Sequence, residues 1–287
     1  MEDLDGKVAV ITGAASGIGL AMSKAFAAKN MRLVMADIEA NALGDSAEAL
    51  RSSGTEVLDL TCDVSQAESV DEMAAKCFER FGTAHVVCNN AGVASGGASW
   101  EQSLEQWEWI VGVNLWGVIN GVRAFVPKLI EQGEGHVVNT ASMAGLVPLP
   151  MSAPYTATKH AVVGISESMF FEFKLTGTSV GISVLCPGWV NTNIGEAERN
   201  WPSRLGPSPM SAGDPASESA HQLMKSILSQ GMDPTAVAAL VVEAVQSDKF
   251  WILTHPEMGK AVTDRFAHAT QGTNPEFVFG GLVPGFD

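Results

Sequence analysis

The chain holds one tyrosine, and that tyrosine opens the stretch Tyr155-Thr-Ala-Thr-Lys159. Residues i and i+4 share a helix face, so a helix there sets the phenol beside the ammonium. A phenol of reference pKa about 10 is a poor base at neutral pH, but a neighbouring cation stabilises its phenolate and brings it into a useful range. Such a pair can exchange a proton with a hydroxyl or carbonyl oxygen. A packing aromatic beside a surface lysine has the same spacing, so the pair needs company. Ser142 lies just past the strand-like run Gly135 to Thr140, at the carboxyl end where open α/β sheets bind their ligands, though a turn serine fits there too. Asn114 interrupts an apolar helical pattern, and a buried amide must find partners; it serves the chemistry or braces the backbone.

A second group of residues lies near the start. Thr12-Gly13-Ala-Ala-Ser16-Gly17-Ile18-Gly19 comes after the β-branched run Val8 to Ile11 and opens a helical pattern. Glycines there let the backbone turn tightly and approach a pyrophosphate, while free N–H groups and the helix dipole favour negative charge. Asp37 closes the next strand-like run, 24 residues beyond the first glycine, close to the roughly 20 at which a carboxylate can accept hydrogen bonds from adenosine ribose hydroxyls. It would repel a 2′-phosphate, and neither Ser16 nor Ile38 offers a cation, so the pattern predicts NAD over NADP. Alone, Asp37 would read as a turn residue or helix cap; the glycine turn supplies its meaning.

These residues need a scaffold, and the pattern of apolar runs predicts one. Strands at Val8 to Ile11, Arg32 to Asp37, Glu56 to Thr61, His85 to Asn89, Gly135 to Thr140, Gly181 to Cys186 and Phe250 to Thr254 alternate with helical spacing. Helices are expected from Gly17 to Lys29, Asn41 to Ser52, Leu104 to Gln132, Tyr155 to Thr176 and Asp233 to Ser247. Another begins at a capping box, Ser65-Gln-Ala-Glu68. Near-continuously apolar strands between helices mean a parallel sheet covered on both faces. The expectation is therefore an α/β, Rossmann-type doubly wound parallel sheet of about seven strands, in a single domain over residues 1–287. Residues 187–231, rich in Pro, Gly, Ser, Met and Trp, read as an insertion over the substrate, since ordinary connections are much shorter, and residues 255–287 as a C-terminal tail.

Composition narrows the partners. The 17 Lys and Arg against 32 Asp and Glu give a formal charge of −15, which disfavours nucleic acid and anionic membrane surfaces. The acidic start lacks the layout of a signal peptide, and no uninterrupted apolar run has the length of a span, so no membrane partner and a cytoplasmic location are expected. Cys62, Cys77, Cys88 and Cys186 have neither CxxC nor His spacing and read as reduced core thiols, with no metal site.

Taken in order, Gly13-x3-Gly17-x-Gly19, Asn89-Asn90-Ala91-Gly92, Asn114, Ser142, Tyr155-x3-Lys159 and Pro187-Gly188-x-Val190-x-Thr192 resemble the short-chain dehydrogenase/reductase family, over about residues 5–195. The resemblance implies that Tyr155 is the general acid/base while hydride moves to or from the nicotinamide. It implies that Lys159 lowers the Tyr155 pKa and holds the nicotinamide ribose, that Ser142 binds the substrate oxygen, and that Asn114 holds a water linking Lys159 to solvent. Asp63 and Val64 would flank the adenine, Asn90, Ala91 and Gly92 support the cofactor, and Thr192 bind the carboxamide.

A finer resemblance, in Trp109 to Gly121, Thr192 to Arg199 and Thr254-His-Pro-Glu257, is to the branch of Cα-alcohol dehydrogenases of lignin-derived aryl ethers. It implies a bulky substrate. The expected activity is an NAD(H)-dependent interconversion of a bulky hydrophobic, aryl or alicyclic, secondary alcohol and its ketone. A biosynthetic ketone reductase and a non-catalytic NAD-sensing regulator are the alternatives. The large apolar side chains Met143, Leu149 and Met151, with Trp189, Ile194, Trp201 and Met210 of the insertion, are expected to wall the pocket. Both long helices are apolar on more than one face, which predicts a homodimer or homotetramer built on them.

Overall fold

The computed structural model describes residues 1–209 and 215–276. Seven parallel strands, β1 (Val8–Thr12), β2 (Arg32–Asp37), β3 (Val57–Thr61), β4 (Val86–Asn89), β5 (Gly135–Thr140), β6 (Val180–Cys186) and β7 (Trp251–Leu253), form one sheet in the order β3-β2-β1-β4-β5-β6-β7. The order reverses between β1 and β4, which opens a crevice beyond their carboxyl ends. Successive strand residues face opposite sides, and the two cores divide accordingly. Ala9, Ile11, Leu33 and Met35 join helices α1 (Gly17–Ala27), α2 (Ala40–Ser52) and α8 (Pro234–Ser247). Val8, Val10, Val34 and Ala36 join α3 (Ala67–Phe81), α5 (Gly117–Gln132) and α6 (Ala153–Thr176) on the other face. Phe26 and Phe125, both 0% exposed, anchor the two layers, and such burial contributes about 1.5–3 kcal/mol per side chain.

Four local features differ from the sequence expectation. The Ser65–Glu68 capping box does not form: Ser65 donates from its backbone N–H and from Oγ to Asp63 Oδ1, at 3.0 and 2.7 Å, and α3 starts at Ala67. A capping box does form at Ser103 and Gln106, ahead of α4 (Leu104–Val111). The expected helix Leu104 to Gln132 is continuous but carries one π-helical stretch, Gly112–Trp116, between α4 and α5. By length and composition this helix could cross a membrane, yet half of its most apolar stretch is buried inside the domain. Finally, the expected tail contains α9 (Gly259–Gln271), and the insertion contains 3-10 turns at Asn193–Asn200 and Ser203–Leu205, then α7 (Pro215–Ser229).

A buried polar chain ties the site-bearing elements together. Asn89 Nδ2 donates to Asn139 Oδ1 at 2.9 Å, Asn139 Nδ2 to Ser166 Oγ at 3.0 Å, and Ser166 Oγ to the Val162 carbonyl at 2.8 Å. It links β4, β5 and α6 in a setting where each unmet polar group would cost about 1–3 kcal/mol. Gly121 on α5 makes room, because a β-carbon there would overlap Asn89 Oδ1.

Candidate active site

The crevice above β1 and β4 is lined at one end by Gly13, Ser16, Gly17, Ile18 and Gly19. Gly13 and Gly17 take φ of +68° and +52°, and a β-carbon on Gly19 would overlap the Gly13 carbonyl oxygen. Only glycines therefore allow this turn, which leads directly into the N-terminus of α1. Asp37, at the end of β2, is held from two sides: Ala15 N–H donates to Oδ2 at 2.9 Å and Glu39 N–H to Oδ1 at 3.0 Å. Its carboxylate thus faces the crevice in a fixed orientation. Asp63 and Val64 line the same wall.

Thr12, to which the sequence pattern assigns no role, organises the opposite side. Its Oγ1 accepts from the N–H groups of Asn90 and Ala91, at 2.9 and 3.1 Å, and Asn90 Nδ2 donates to the Thr12 carbonyl at 3.0 Å. The loop Asn90, Ala91, Gly92 is thereby bound to the end of β1. Across the crevice, Pro187, Gly188, Val190 and Thr192 complete the lining, and a β-carbon on Gly17 would come within 3.1 Å of Thr192 Cγ2. This backbone cradle, a carboxylate at its far end and a gap between two loops fit a dinucleotide laid along the strand ends.

Tyr155, Lys159 and Ser142 line the other end of that crevice. Lys159 is 2% exposed; its Nζ donates to the Thr140 carbonyl at 2.9 Å and lies 5.5 Å from the Tyr155 ring centroid. Burial lowers the Lys159 pKa to about 8. Burial raises the Tyr155 phenol, and its hydrogen bond with Ser142 partly offsets the rise. Desolvation is the largest influence on the phenol, and the Ser142 hydrogen bond opposes it. Ser142 also accepts from Ala144 N–H at 3.1 Å, which fixes its side chain at the head of the turn Met143–Gly145.

Asn114 is 0% exposed and lies behind the crevice, in the π-helical stretch. Its Oδ1 accepts from Val93 N–H at 2.8 Å and its Nδ2 donates to the Val93 carbonyl at 2.9 Å, so its side chain braces the loop after Gly92. The apolar residues expected around the substrate separate. Ile194 lines the crevice, but Met143, Leu149, Met151 and Trp189 do not. Met143 is drawn into a core cluster with Leu146 and Val147, and Trp189 packs on the same cluster beside Met258, because the C-terminal segment offers an apolar surface that sequence patterning did not reveal. Leu149 is half-buried, and Met151 is exposed at φ +57°. Trp201 meets Trp109 edge-on at 5.1 Å, and Met210 lies outside the described residues. Val93, Trp109, Val113 and Leu228 line the crevice instead.

A paired phenol and lysine, a serine beside the phenol and a dinucleotide-shaped crevice along the same strand ends define a nucleotide-dependent oxidoreductase. The family profile described as short chain dehydrogenase matches residues 7–203, and the chain belongs to that family. It is similar to a 1-deoxy-11-beta-hydroxypentalenate dehydrogenase of Streptomyces arenae, 38% identical over 91% of this chain and 86% of the relative. It is also similar to a C alpha-dehydrogenase of Sphingobium sp., 31% identical over 93% of this chain and 86% of the relative. Among solved structures, a short chain dehydrogenase/reductase from Burkholderia phymatum in complex with NAD superimposes with a TM-score of 0.94. It is 40% identical, with 98% of this chain and all of that one covered.

Proposed function

We propose that this chain is an NAD(H)-dependent oxidoreductase that interconverts a bulky, neutral, hydrophobic secondary alcohol and its ketone. The observation that carries the reading is the partly buried Tyr155, its phenol hydrogen-bonded to Ser142 and close to Lys159, opening onto the crevice that begins at the glycine turn. In the oxidising direction Ser142 orients the alcohol oxygen and the Tyr155 oxygen takes its proton. Lys159 favours the phenolate by its charge and is the residue to hold the nicotinamide ribose. When bound, NAD accepts the hydride that leaves the carbinol carbon. Asp37 is the residue to receive the adenosine ribose hydroxyls.

The relative named for 1-deoxy-11-beta-hydroxypentalenate supports a large substrate. So does the crevice, whose walls include Val93, Ile194 and Leu228. Arg199 and Arg204, which also line it, are paired with Glu39 and Glu108, so neither is free to grip an anion. The four cysteines are buried and unpaired, which suits a soluble protein in the reducing cytoplasm. Exposed apolar residues on the two long helices, Trp116 and Ile130 on one, Phe171 and Leu175 on the other, support a homodimer or homotetramer. The test is steady-state NADH formation with 1-phenylethanol and 2-propanol, run in parallel with NADP. Preference for 1-phenylethanol and for NAD is expected; preference for 2-propanol overturns the pocket reading, and preference for NADP overturns the role of Asp37.

A further inference from the structure

The insertion crosses the crevice at the end away from Tyr155. Its first segment, Asn193–Asn200, ends in two residues that reach Glu39, just past Asp37. Arg199 Nε and Nη2 both donate to Glu39 Oε1, at 3.0 and 2.8 Å, and Asn200 Nδ2 donates to the same oxygen at 3.0 Å. Arg199 Nη1 donates to the carbonyls of Asn193 and Glu196, at 2.9 and 2.8 Å, so the guanidinium also stiffens the segment that carries it. On the other wall, Glu39 N–H donates to Asp37 Oδ1. Asp37, Glu39, Arg199 and Asn200 all line the crevice.

The rest of the segment is seated for the same posture. Ala197 is buried with Val93, Trp109 and Ile110, Trp201 rests on Trp109, and Lys225 of α7 pairs with Glu196 at 2.6 Å. Burial raises the Glu39 carboxyl, but the hydrogen bonds from Arg199 and Asn200 and the Arg199 charge outweigh it and hold the group below its ordinary value. The carboxylate is therefore ionised wherever the enzyme would work.

We propose that Glu39, Arg199 and Asn200 form a clasp that closes the insertion over the adenosine half of the crevice, so that the cofactor leaves only when the clasp opens. The inference rests on the reading of the crevice as the NAD site. The three are positioning residues and touch no reacting atom. A half-exposed ion pair contributes only about 0–1 kcal/mol to global stability. Its effect falls instead on local opening, which is governed by the few contacts that must break. Three donors converging on one carboxylate oxygen across the mouth of a crevice act on that opening and, through it, on the dissociation rate.

The test is stopped-flow displacement of NADH by excess NAD from wild type, Glu39→Gln, Arg199→Met, the double variant and Asn200→Ala. Glu39→Gln and Arg199→Met should each speed release by about three- to tenfold, with Asn200→Ala giving a smaller rise. The double variant should release no faster than the faster single one, because both substitutions break the same contact. Added salt should speed release from wild type and leave the two charge-removing variants nearly unchanged. Release within about twofold of wild type in both single variants, or additive effects in the double, overturns the clasp. Wild type that binds no NADH overturns the cofactor reading itself, whereas NADH binding with unaltered release overturns the clasp alone.

Discussion

Burial acts on Tyr155 and Lys159 in opposite senses, raising the phenol and bringing the ammonium down to about 8. Both shifts favour the neutral forms, so the charged forms depend on each other and on Ser142. Alcohol oxidation needs the phenolate and therefore speeds up as pH rises, while ketone reduction needs the phenol and slows. Tyr155→Phe should abolish turnover in both directions and leave NADH binding intact; turnover near the wild-type rate would falsify the assignment. Lys159→Ala removes the nearby cation, so the ascending limb of the oxidation profile should move to higher pH and NADH should bind more weakly. An unshifted limb would show that the lysine has no part in ionising the phenol. The tyrosine–lysine pair and the strand-end serine were legible as candidates from type and spacing, and the family resemblance supplied their roles. Thr12 was not, because an ordinary strand-end threonine carries no signal until the loop it holds is folded against it.

At the scale of elements, the π-helical stretch between α4 and α5 places Asn114 where one side chain meets both backbone groups of Val93. A π turn inside an α-helix shifts the register of the residues beyond it, and such turns concentrate near functional sites. Asn114→Ala would leave a buried N–H and a buried carbonyl unmet, which costs about 1–3 kcal/mol per group. A lower denaturation midpoint and a fall in turnover are expected together, read by urea titration and by initial rates. Asn114→Asp retains an acceptor for Val93 N–H and loses the donor, so its loss should be intermediate if the brace is what matters. Equal stability of wild type and Asn114→Ala would remove the brace. The apolar periodicity of Leu104 to Gln132 announced a helix, but it could not announce the π turn, since one extra residue scarcely disturbs an apolar pattern.

For the whole molecule, the charge of −15 and the outward apolar residues pull in different directions. Leu175 and Phe171, one turn apart on α6, are 86% and 62% exposed, and apolar side chains grouped on one helix face are a surface that a second copy can cover. Light scattering at micromolar concentration should give a dimer or tetramer, and Phe171→Glu with Leu175→Glu should shift it toward monomer with the fold retained by circular dichroism. A wild-type monomer, or an unchanged assembly in the double variant, would count against these helices as the contact.

The sequence by itself determined the sheet and both ends of its crevice, because strand and helix periods are local properties and because a tight glycine turn, an i, i+4 pair and a strand-end carboxylate are defined over a few residues. It also carried the two-sided apolar character of the long helices. Only the tertiary structure decided where the large apolar side chains of the later loops would go. Met143 and Trp189 turn toward the C-terminal segment, which lies far along the chain, and Ile194 turns toward the crevice. Glu39 and Arg199 meet in the same way, across a gap of 160 residues. Contacts of that range depend on the packed arrangement of both partners, and composition or spacing near either one holds no trace of them.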